Sequence, residues 1–256
     1  MDGSGDIQAG QPLLEVEAAT IQYESEAAVV VAIHQVSFSV RKGERFVILG
    51  RSGCGKSTLL KAIGGYLTPV EGRITLHGKP IGSAGPDRMV VWQDPDQLLP
   101  WKTVRQNVVY PLTLTGVSKA EANERADAFI AMVDLTRAAD QYPHQLSGGM
   151  KMRVAVARGL AMKPAVLLMD EPFAALDALT RHRMQDELLR LQAETGATVV
   201  FVTHDIAEAC KLATRILVLS PHPGQVKANL DVGRFASREA LADAVGSLIH
   251  DAGARA

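Results

Sequence analysis
Apolar residues along the chain follow two different periods. From Leu13 to Leu76 they come in short runs (LLEVEAA, VSFSV, RFVILG, RITLHG) separated by glycine, a pattern that predicts strands and hairpins. One helical pattern interrupts them, from Lys56 to about Ile63. Between about Asp94 and Met162 the spacing changes. Ser118 and Glu121 stand at the separation of a capping box, and Ala122, Ala126, Phe129, Ile130 and Val133 then recur at helical intervals. That segment is predicted to be a helical insert. Beyond it, AVLLMD, ATVVFVTH and TRILVLS alternate with helical stretches over Leu179–Glu194 and Ile206–Ala213, the order expected of parallel strands joined by crossover helices. The core is therefore expected to be α/β. Residues 1–12 are rich in Gly, Asp and Gln without periodicity and are expected to be a disordered lead-in. In the tail from Ser237, apolar positions recur at Leu241, Val245 and Leu248, and no internal repeat is visible.

Composition narrows this picture. With 47% hydrophobic residues among 256, the chain can bury the core of one domain. Its apolar runs, such as Ala165–Met169 and Ala197–Val202, are strand-length, whereas a bilayer span takes roughly 20 residues. Any membrane span would come from another chain. The 27 basic and 28 acidic residues nearly cancel, so bulk charge gives no reason to expect a nucleic-acid partner. Cys54 and Cys210 form no CxxC, and His34, His77, His144, His182, His222 and His250 lack ligand spacing, so neither a zinc site nor a disulfide is expected. The start, MDGSGDIQAGQP, lacks the basic and apolar regions of a secretory signal, and a cytoplasmic location is expected.

The chemistry concentrates in two places. Gly50-Arg51-Ser52-Gly53-Cys54-Gly55-Lys56-Ser57 matches G-x-x-x-x-G-K-[ST], follows the apolar run Phe46–Leu49 and leads into the helical pattern at Thr58. Glycines let backbone N–H groups close around phosphate oxygens, Lys56 supplies a point charge, and the Ser57 hydroxyl suits Mg2+. The alternative is a glycine-rich strand-to-helix turn with no ligand. Downstream, Val166-Leu167-Leu168-Met169 ends in Asp170-Glu171, two carboxylates at the carboxyl end of a buried strand, where α/β sheets bind ligands. Asp170 suits Mg2+ and Glu171 suits a general base that polarises an attacking water. An Asp-Glu pair without such a strand is more often solvated surface.

Kinases, GTPases and many ATPases share those two motifs. Leu146-Ser147-Gly148-Gly149-Met150, between them, resembles the signature motif of the ATP-binding-cassette (ABC) ATPases. The rest of that family's pattern follows in order: Gln93 resembles the Q-loop, Ala174-Ala175-Leu176-Asp177 the D-loop, and His204 the switch histidine. Tyr23 stands where the family's adenine-stacking aromatic falls, although a lone Tyr also suits a core. The resemblance covers about Leu13 to Gly224. It implies a P-loop NTPase (RecA-like) core with an antiparallel β subdomain and a helical insert. Residues 13–230 would be the cassette, about 94–162 its helical subdomain and 231–256 a short tail.

It further implies a head-to-tail homodimer with two ATPs between subunits. Lys56, Ser57, Gln93, Asp170, Glu171 and His204 would act in one subunit, with Gln93 also reaching the Mg2+. Ser147, Gly148 and Gly149 of the other would meet the γ-phosphate, and Asp177 would support the interface. Met150, Met152 and Ala174 depart from the commonest residues of the pattern without removing a reacting group. Within the family, GPDRMVVWQDPDQLLPWKTVRQNV, DEPFAALDALTR and VTHDIAEA resemble importers of nitrate, sulfonates, taurine and related solutes. The resemblance implies a membrane permease, docked near Gln93, and an extracytoplasmic solute-binding protein as partners, with the chain peripheral on the cytoplasmic face of the inner membrane. Two alternatives are a soluble, non-transport ABC ATPase and an importer motor of another subfamily, such as one for polyamines or sugars.

Overall fold
A computed structural model describes residues 11–24 and 29–250. The predicted lead-in lies outside the described residues except for Gln11 and Pro12, as does the end of the tail from residue 251. In chain order the first elements are β1 (Leu14–Glu24), β2 (Val29–Val40), β3 (Arg45–Leu49), α1 (Lys56–Ile63), β4 (Glu71–Leu76), β5 (Lys79–Pro80) and β6 (Arg88–Val91). There follow α2 (Val104–Leu114), α3 (Lys119–Met132), α4 (Gly148–Ala161), β7 (Val166–Asp170) and α5 (Ala178–Thr195). The last described elements are β8 (Val199–Thr203), α6 (Ile206–Leu212), β9 (Arg215–Leu219), β10 (Val226–Asp231) and α7 (Arg238–His250). The described residues form two compact units, one of those up to Ala84 together with those from Val202 onward, the other of Gly85–Phe201.

In the first unit β1 pairs antiparallel with both β2 and β4, and β5 closes on β4, giving the order β2-β1-β4-β5. Leu14 faces Val40 on one side and Leu76 on the other. The register of β1 breaks around Ala18, at φ 45°. Gly72 lies against that break at φ 74°, where a Cβ would stand 2.2 Å from the Glu17 carbonyl oxygen, so only glycine fits. β2 begins well ahead of the predicted VSFSV run because Ala32 and Ile33 bury as strand residues too. The same unit holds β3 parallel to β9, with Phe46 opposite Arg215, and β10 antiparallel to β9. Phe46 to Leu49 are wholly buried, which is why this strand reads as a continuous apolar run rather than an alternation. α1 buries Leu59, Leu60 and Ile63, each contributing on the order of 1.5–3 kcal/mol. The tail forms α7, which buries Leu241 and Val245, and Lys227 Nζ donates to the Leu248 carbonyl 2.6 Å away near its C-terminal end, where a cation is favoured.

In the second unit β6 runs parallel to β7, from Arg88 opposite Val166 to Val91 opposite Met169. The helices α2, α3 and α4 occupy the predicted insert, and α3 buries Ala122, Ala126, Phe129 and Ile130 as the spacing predicts. The expected capping box at its start is only half formed. Ser118 Oγ accepts the Glu121 N–H at 3.3 Å, but the Glu121 carboxylate pairs with Arg125 one turn on. A charged partner at i+4 outcompetes the backbone N–H for that carboxylate. The reciprocal box is at α2, between Thr103 and Gln106. One nearly buried ion pair ties α4 to α5: Arg153 Nε stands 3.1 Å from Glu187 Oε2, with Glu187 8% and Arg153 25% exposed. Burial pushes the Glu187 carboxyl above its ordinary value, with Arg153 opposing.

Candidate functional site
Strand β3 delivers the chain at Gly50 into a loop whose backbone only glycine tolerates at two points, Gly53 (φ 82°) and Gly55 (φ 92°). Gly55 is constrained twice, since a Cβ there would stand 2.5 Å from the Ala32 carbonyl oxygen. At Gly50 a Cβ would meet Cys54 Sγ at 2.7 Å, so the buried Cys54 thiol fills the inside of the loop. Lys56 is buried, and its Nζ donates to the carbonyls of Gly50 (2.9 Å) and Arg51 (3.1 Å), which curls the loop over the start of α1. Arg51, Ser52 and Gly53 are exposed, whereas Ser57 and Thr58 in the first turn of α1 are partly so.

The N-terminus of α1 differs from the others. Thr103, Ser118, Ser147, Asp177 and Asp205 cap α2 to α6 through their side chains, and Ser237 Oγ accepts the Ala240 N–H at the start of α7. Gly55 offers α1 no side chain, and no acidic residue stands in its first turn. The first N–H groups of a helix lack intrahelical partners and carry the positive end of its dipole, so this terminus is arranged for an anion.

The parallel register places a second group of predicted residues together. Val91 and Met169 are opposite, so Gln93 and the pair Asp170-Glu171 leave the carboxyl ends of adjacent strands β6 and β7. Asp170 is 7% exposed and ends a strand buried at every position. Glu171 lies at φ 42°, a region that costs a non-glycine residue on the order of 1–3 kcal/mol and recurs at active sites. Gln93 is exposed on a loop that Gln97 holds from within. Gln97 Nε2 donates to the Trp92 (2.8 Å) and Asp94 (3.0 Å) carbonyls, and its Oε1 accepts the Trp92 N–H at 3.1 Å. Arg158 of α4 adds a bond to the Gln97 carbonyl at 3.1 Å. Asn107, fully buried, likewise accepts the Leu99 N–H and donates to the Leu99, Lys102 and Thr103 carbonyls. Nothing in the spacing of Gln97, Asn107 or Arg158 marks them for this work.

Ser147 caps α4, its Oγ accepting the Met150 N–H at 3.3 Å. Asp177 caps α5, accepting the Thr180 N–H at 3.0 Å. Hydrogen bonds from the Thr180 side chain and N–H hold the Asp177 carboxyl below its ordinary value. Thr180 also joins the two helix starts, because a Cβ on Gly149 would stand 2.9 Å from its Cγ2. Gly149 is thus explained by α4–α5 packing. Gly148 is not: a Cβ there meets nothing nearer than Leu176 Cδ2 at 4.0 Å. His204 is exposed between Thr203, which ends β8, and Asp205, which caps α6. Tyr23 lies inside β1 opposite Val30 and is 47% exposed, so it is not a core residue of this strand.

A glycine-locked loop after a buried strand, Asp170 at the end of another with Glu171 next to it, and a Ser-Gly-Gly helix start are the features by which the chain resembles an ATP-binding cassette. The family model described as ABC transporter matches residues 33–174, more than half of the sequence, and the chain belongs to that family. It is 46% identical over 233 residues to the taurine import ATP-binding protein TauB of Mesorhizobium japonicum, covering 90% of each. With the nitrate import ATP-binding protein NrtC of Synechococcus elongatus it shares 49% identity over 195 residues, covering 75% of this chain and 29% of that protein. Among solved structures, cbiO1 of Clostridium perfringens, part of the ABC transporter complex cbiONQ, superimposes with a TM-score of 0.78 at 30% identity over 92% of both chains. The dimeric post-hydrolysis state of the ATP-binding cassette MJ0796 with ADP and Pi gives 0.74 at 32% identity, covering 87% of this chain and 100% of that one. The fold is thus the P-loop NTPase fold of ABC ATPases, and the chain is an ATPase of that family. The family match ends at Ala174, ahead of Asp177 and His204.

Proposed function
We propose that the chain is the ATP-hydrolysing motor of an importer for a small solute of the taurine, sulfonate or nitrate type, working through a separate permease. The uncapped, acid-free N-terminus of α1 beneath the Lys56-curled loop carries the nucleotide half of this reading. The names of the relatives support the import half, and among the described residues no helix is long and apolar enough to cross a membrane. In this reading residues 13–230 form the cassette, with a helical subdomain over about 94–162 and a tail over 231–256. It sits on the cytoplasmic face of the inner membrane, as a homodimer, with a permease docked near Gln93 and an extracytoplasmic solute-binding protein delivering solute.

The loop amides of Gly50 to Thr58 and the Lys56 ammonium neutralise the phosphates, and Tyr23 offers a ring to the adenine. Mg2+ takes oxygen donors and keeps waters and phosphate oxygens in its shell. The Ser57 hydroxyl, the buried Asp170 carboxylate and the Gln93 amide oxygen fit that demand. When bound, the ion offsets charge on the phosphate oxygens. Glu171 takes the proton of the attacking water, and His204 contacts the γ-phosphate. Ser147, Gly148 and Gly149 serve the partner subunit's ATP, with Asp177 supporting the interface.

The two signature glycines separate in a stability measurement. Gly149→Ala crowds Thr180 and is expected to cost about 1–3 kcal/mol. Gly148→Ala meets open space in a helix and is expected to leave urea stability unchanged or raise it by up to about 1 kcal/mol, while abolishing ATP-dependent dimerisation in light scattering. A Gly148→Ala protein that still dimerises would remove close approach by a partner as the reason for that glycine.

Isolation of the protein from its native membranes, followed by mass spectrometry, tests the import reading. A permease and a solute-binding protein are expected to accompany it. Soluble assemblies with no membrane partner would leave the ATPase and overturn transport.

A further inference from the structure
The phosphate loop is braced from outside by a residue that its motif does not contain. The segment Ser220–Gln225, between β9 and β10, closes on itself: the Ser220 N–H donates to the Gln225 carbonyl at 2.8 Å, and Ser220 Oγ accepts the Gln225 N–H at 2.9 Å. Ser220 Oγ also donates to the carbonyls of Pro221 and Pro223, 3.1 Å from each. Held this way, Gly224 adds to β2 as a short parallel bridge at Ile33. Its N–H donates to the Ala32 carbonyl at 2.9 Å, and its own carbonyl accepts the His34 N–H at 3.0 Å.

Both sides of this bridge lie against Cys54 and Gly55 of the phosphate loop. The Ala32 carbonyl oxygen, fixed by Gly224, is the atom a Cβ on Gly55 would meet at 2.5 Å. A Cβ on Gly224 would stand 2.2 Å from the Cys54 carbonyl oxygen and 2.9 Å from Ile33 Cδ1. Gly224 is buried. Its φ is not in the left-handed region, so its backbone places no demand for glycine, and the space beside Cys54 does. The Cys54–Gly55 peptide is trans, and in a trans peptide the C=O and N–H point in opposite directions. A Cys54 carbonyl seated against Gly224 therefore turns the Gly55 N–H the other way. Any group that pushes that carbonyl off Gly224 must rotate this peptide and take the N–H with it.

We propose that Gly224 is a positioning residue of the ATP site, fixing the orientation of the Cys54–Gly55 peptide so that the Gly55 N–H is presented to a nucleotide phosphate. This rests on the reading of Gly50–Thr58 as the phosphate loop. Gly224→Ala is the test, because alanine is allowed at this φ and adds only the offending methyl group.

In the full-length chain, the KM for ATP and the Kd for ATP with Mg2+ are expected to rise tenfold or more. The kcat at saturation stays within threefold and the nucleotide-free thermal midpoint stays near that of the parent. Gly82→Ala, where a Cβ meets nothing within 4 Å, controls for a glycine-to-alanine change and keeps parent values. Adding Ile33→Val to Gly224→Ala relieves the contact with Ile33 Cδ1 but not the one with Cys54, and is expected to leave binding weak. A Gly224→Ala Kd within twofold of the parent overturns the proposal, and so does recovery by Ile33→Val, which would make the effect one of core crowding. Lys56→Ala distinguishes the underlying reading: if it binds ATP as tightly as the parent, the phosphate loop itself is misassigned, whatever Gly224 does. Should Gly224→Ala fail to fold, Ser220→Ala carries the test: it keeps the glycine but removes the Oγ bonds that hold the segment, and so weakens the hold of Gly224 on Cys54. A Kd raised twofold or more sustains the proposal, and a parent-like Kd overturns it.

Discussion
Replacing Glu171 by glutamine is expected to lower steady-state ATP turnover by about 10²- to 10⁴-fold, the usual contribution of a positioned general base. The Kd for ATP is expected to remain near that of the parent. Glutamine keeps the size of the side chain and can still hold a water, but cannot take its proton. The backbone that aims this side chain is over-determined by its surroundings: Glu171 follows a strand with no exposed residue, sits at φ 42°, and its carbonyl accepts the Ala174 N–H at 3.1 Å. The substitution alters none of these. The thermal midpoint should therefore not move, which separates lost chemistry from lost fold. With turnover blocked, the ATP-bound dimer should accumulate in size-exclusion chromatography, because the γ-phosphate that both subunits would hold stays in place. Normal turnover in Glu171→Gln would overturn its role as the base.

The second large effect falls on stability. Arg153→Met keeps the aliphatic stem but leaves the Glu187 carboxylate, 8% exposed, without its counter-ion. Breaking a buried pair from one side costs about 3–5 kcal/mol, and the lower end is expected in urea denaturation because Arg153 is itself 25% exposed. Glu187 Oε1 already has no hydrogen-bond partner, and Arg190 is left as the weaker of the two cations that act on this carboxylate.

The pH dependence gives a sign that packing loss would not. Burial pushes the folded-state pKa of Glu187 above its unfolded value, and Arg153 is the largest influence holding it down. A raised carboxyl contributes stability below its unfolded pKa and loses it as pH rises through the folded one. Removing Arg153 raises the folded pKa further. The penalty should therefore be greatest at neutral pH and shrink as the pH falls through the carboxylate range. Adding Glu187→Leu should recover most of the loss at neutral pH. A penalty independent of pH would assign the effect to packing instead.

Much of the site is legible in the order of residues, because its chemistry is local along the chain. The segment Gly50–Thr58 is one turn and one helix start, and its glycines, lysine and serine act through their own backbone and neighbours. Asp170-Glu171 is marked by the apolar strand ahead of it, and the helical spacing of Ala122 to Val133 corresponds to α3. Local rules fail where two partners compete for one group. Glu121 has the spacing to cap α3, yet its carboxylate goes to Arg125. The Thr103–Gln106 pair carries the same spacing and, with no such competitor bonded to Gln106, closes the reciprocal box.

The sequence by itself determined which residues could do phosphate chemistry, since hydrogen-bonding capacity, charge and permitted φ belong to residue types and to short spacings. Only the tertiary structure decided which of them are held, and by what. Gln97 and Asn107 satisfy carbonyls and N–H groups that the chain exposes by turning after β6, and Thr180 joins two helix starts far apart in sequence. Gly149 proved to be a packing glycine while its neighbour Gly148 did not, and Gly224 came to lie under Cys54 from more than half the chain away. Contacts of that kind depend on where distant backbone arrives. No spacing records this, because it is fixed by burial of the whole core rather than by the residues that meet.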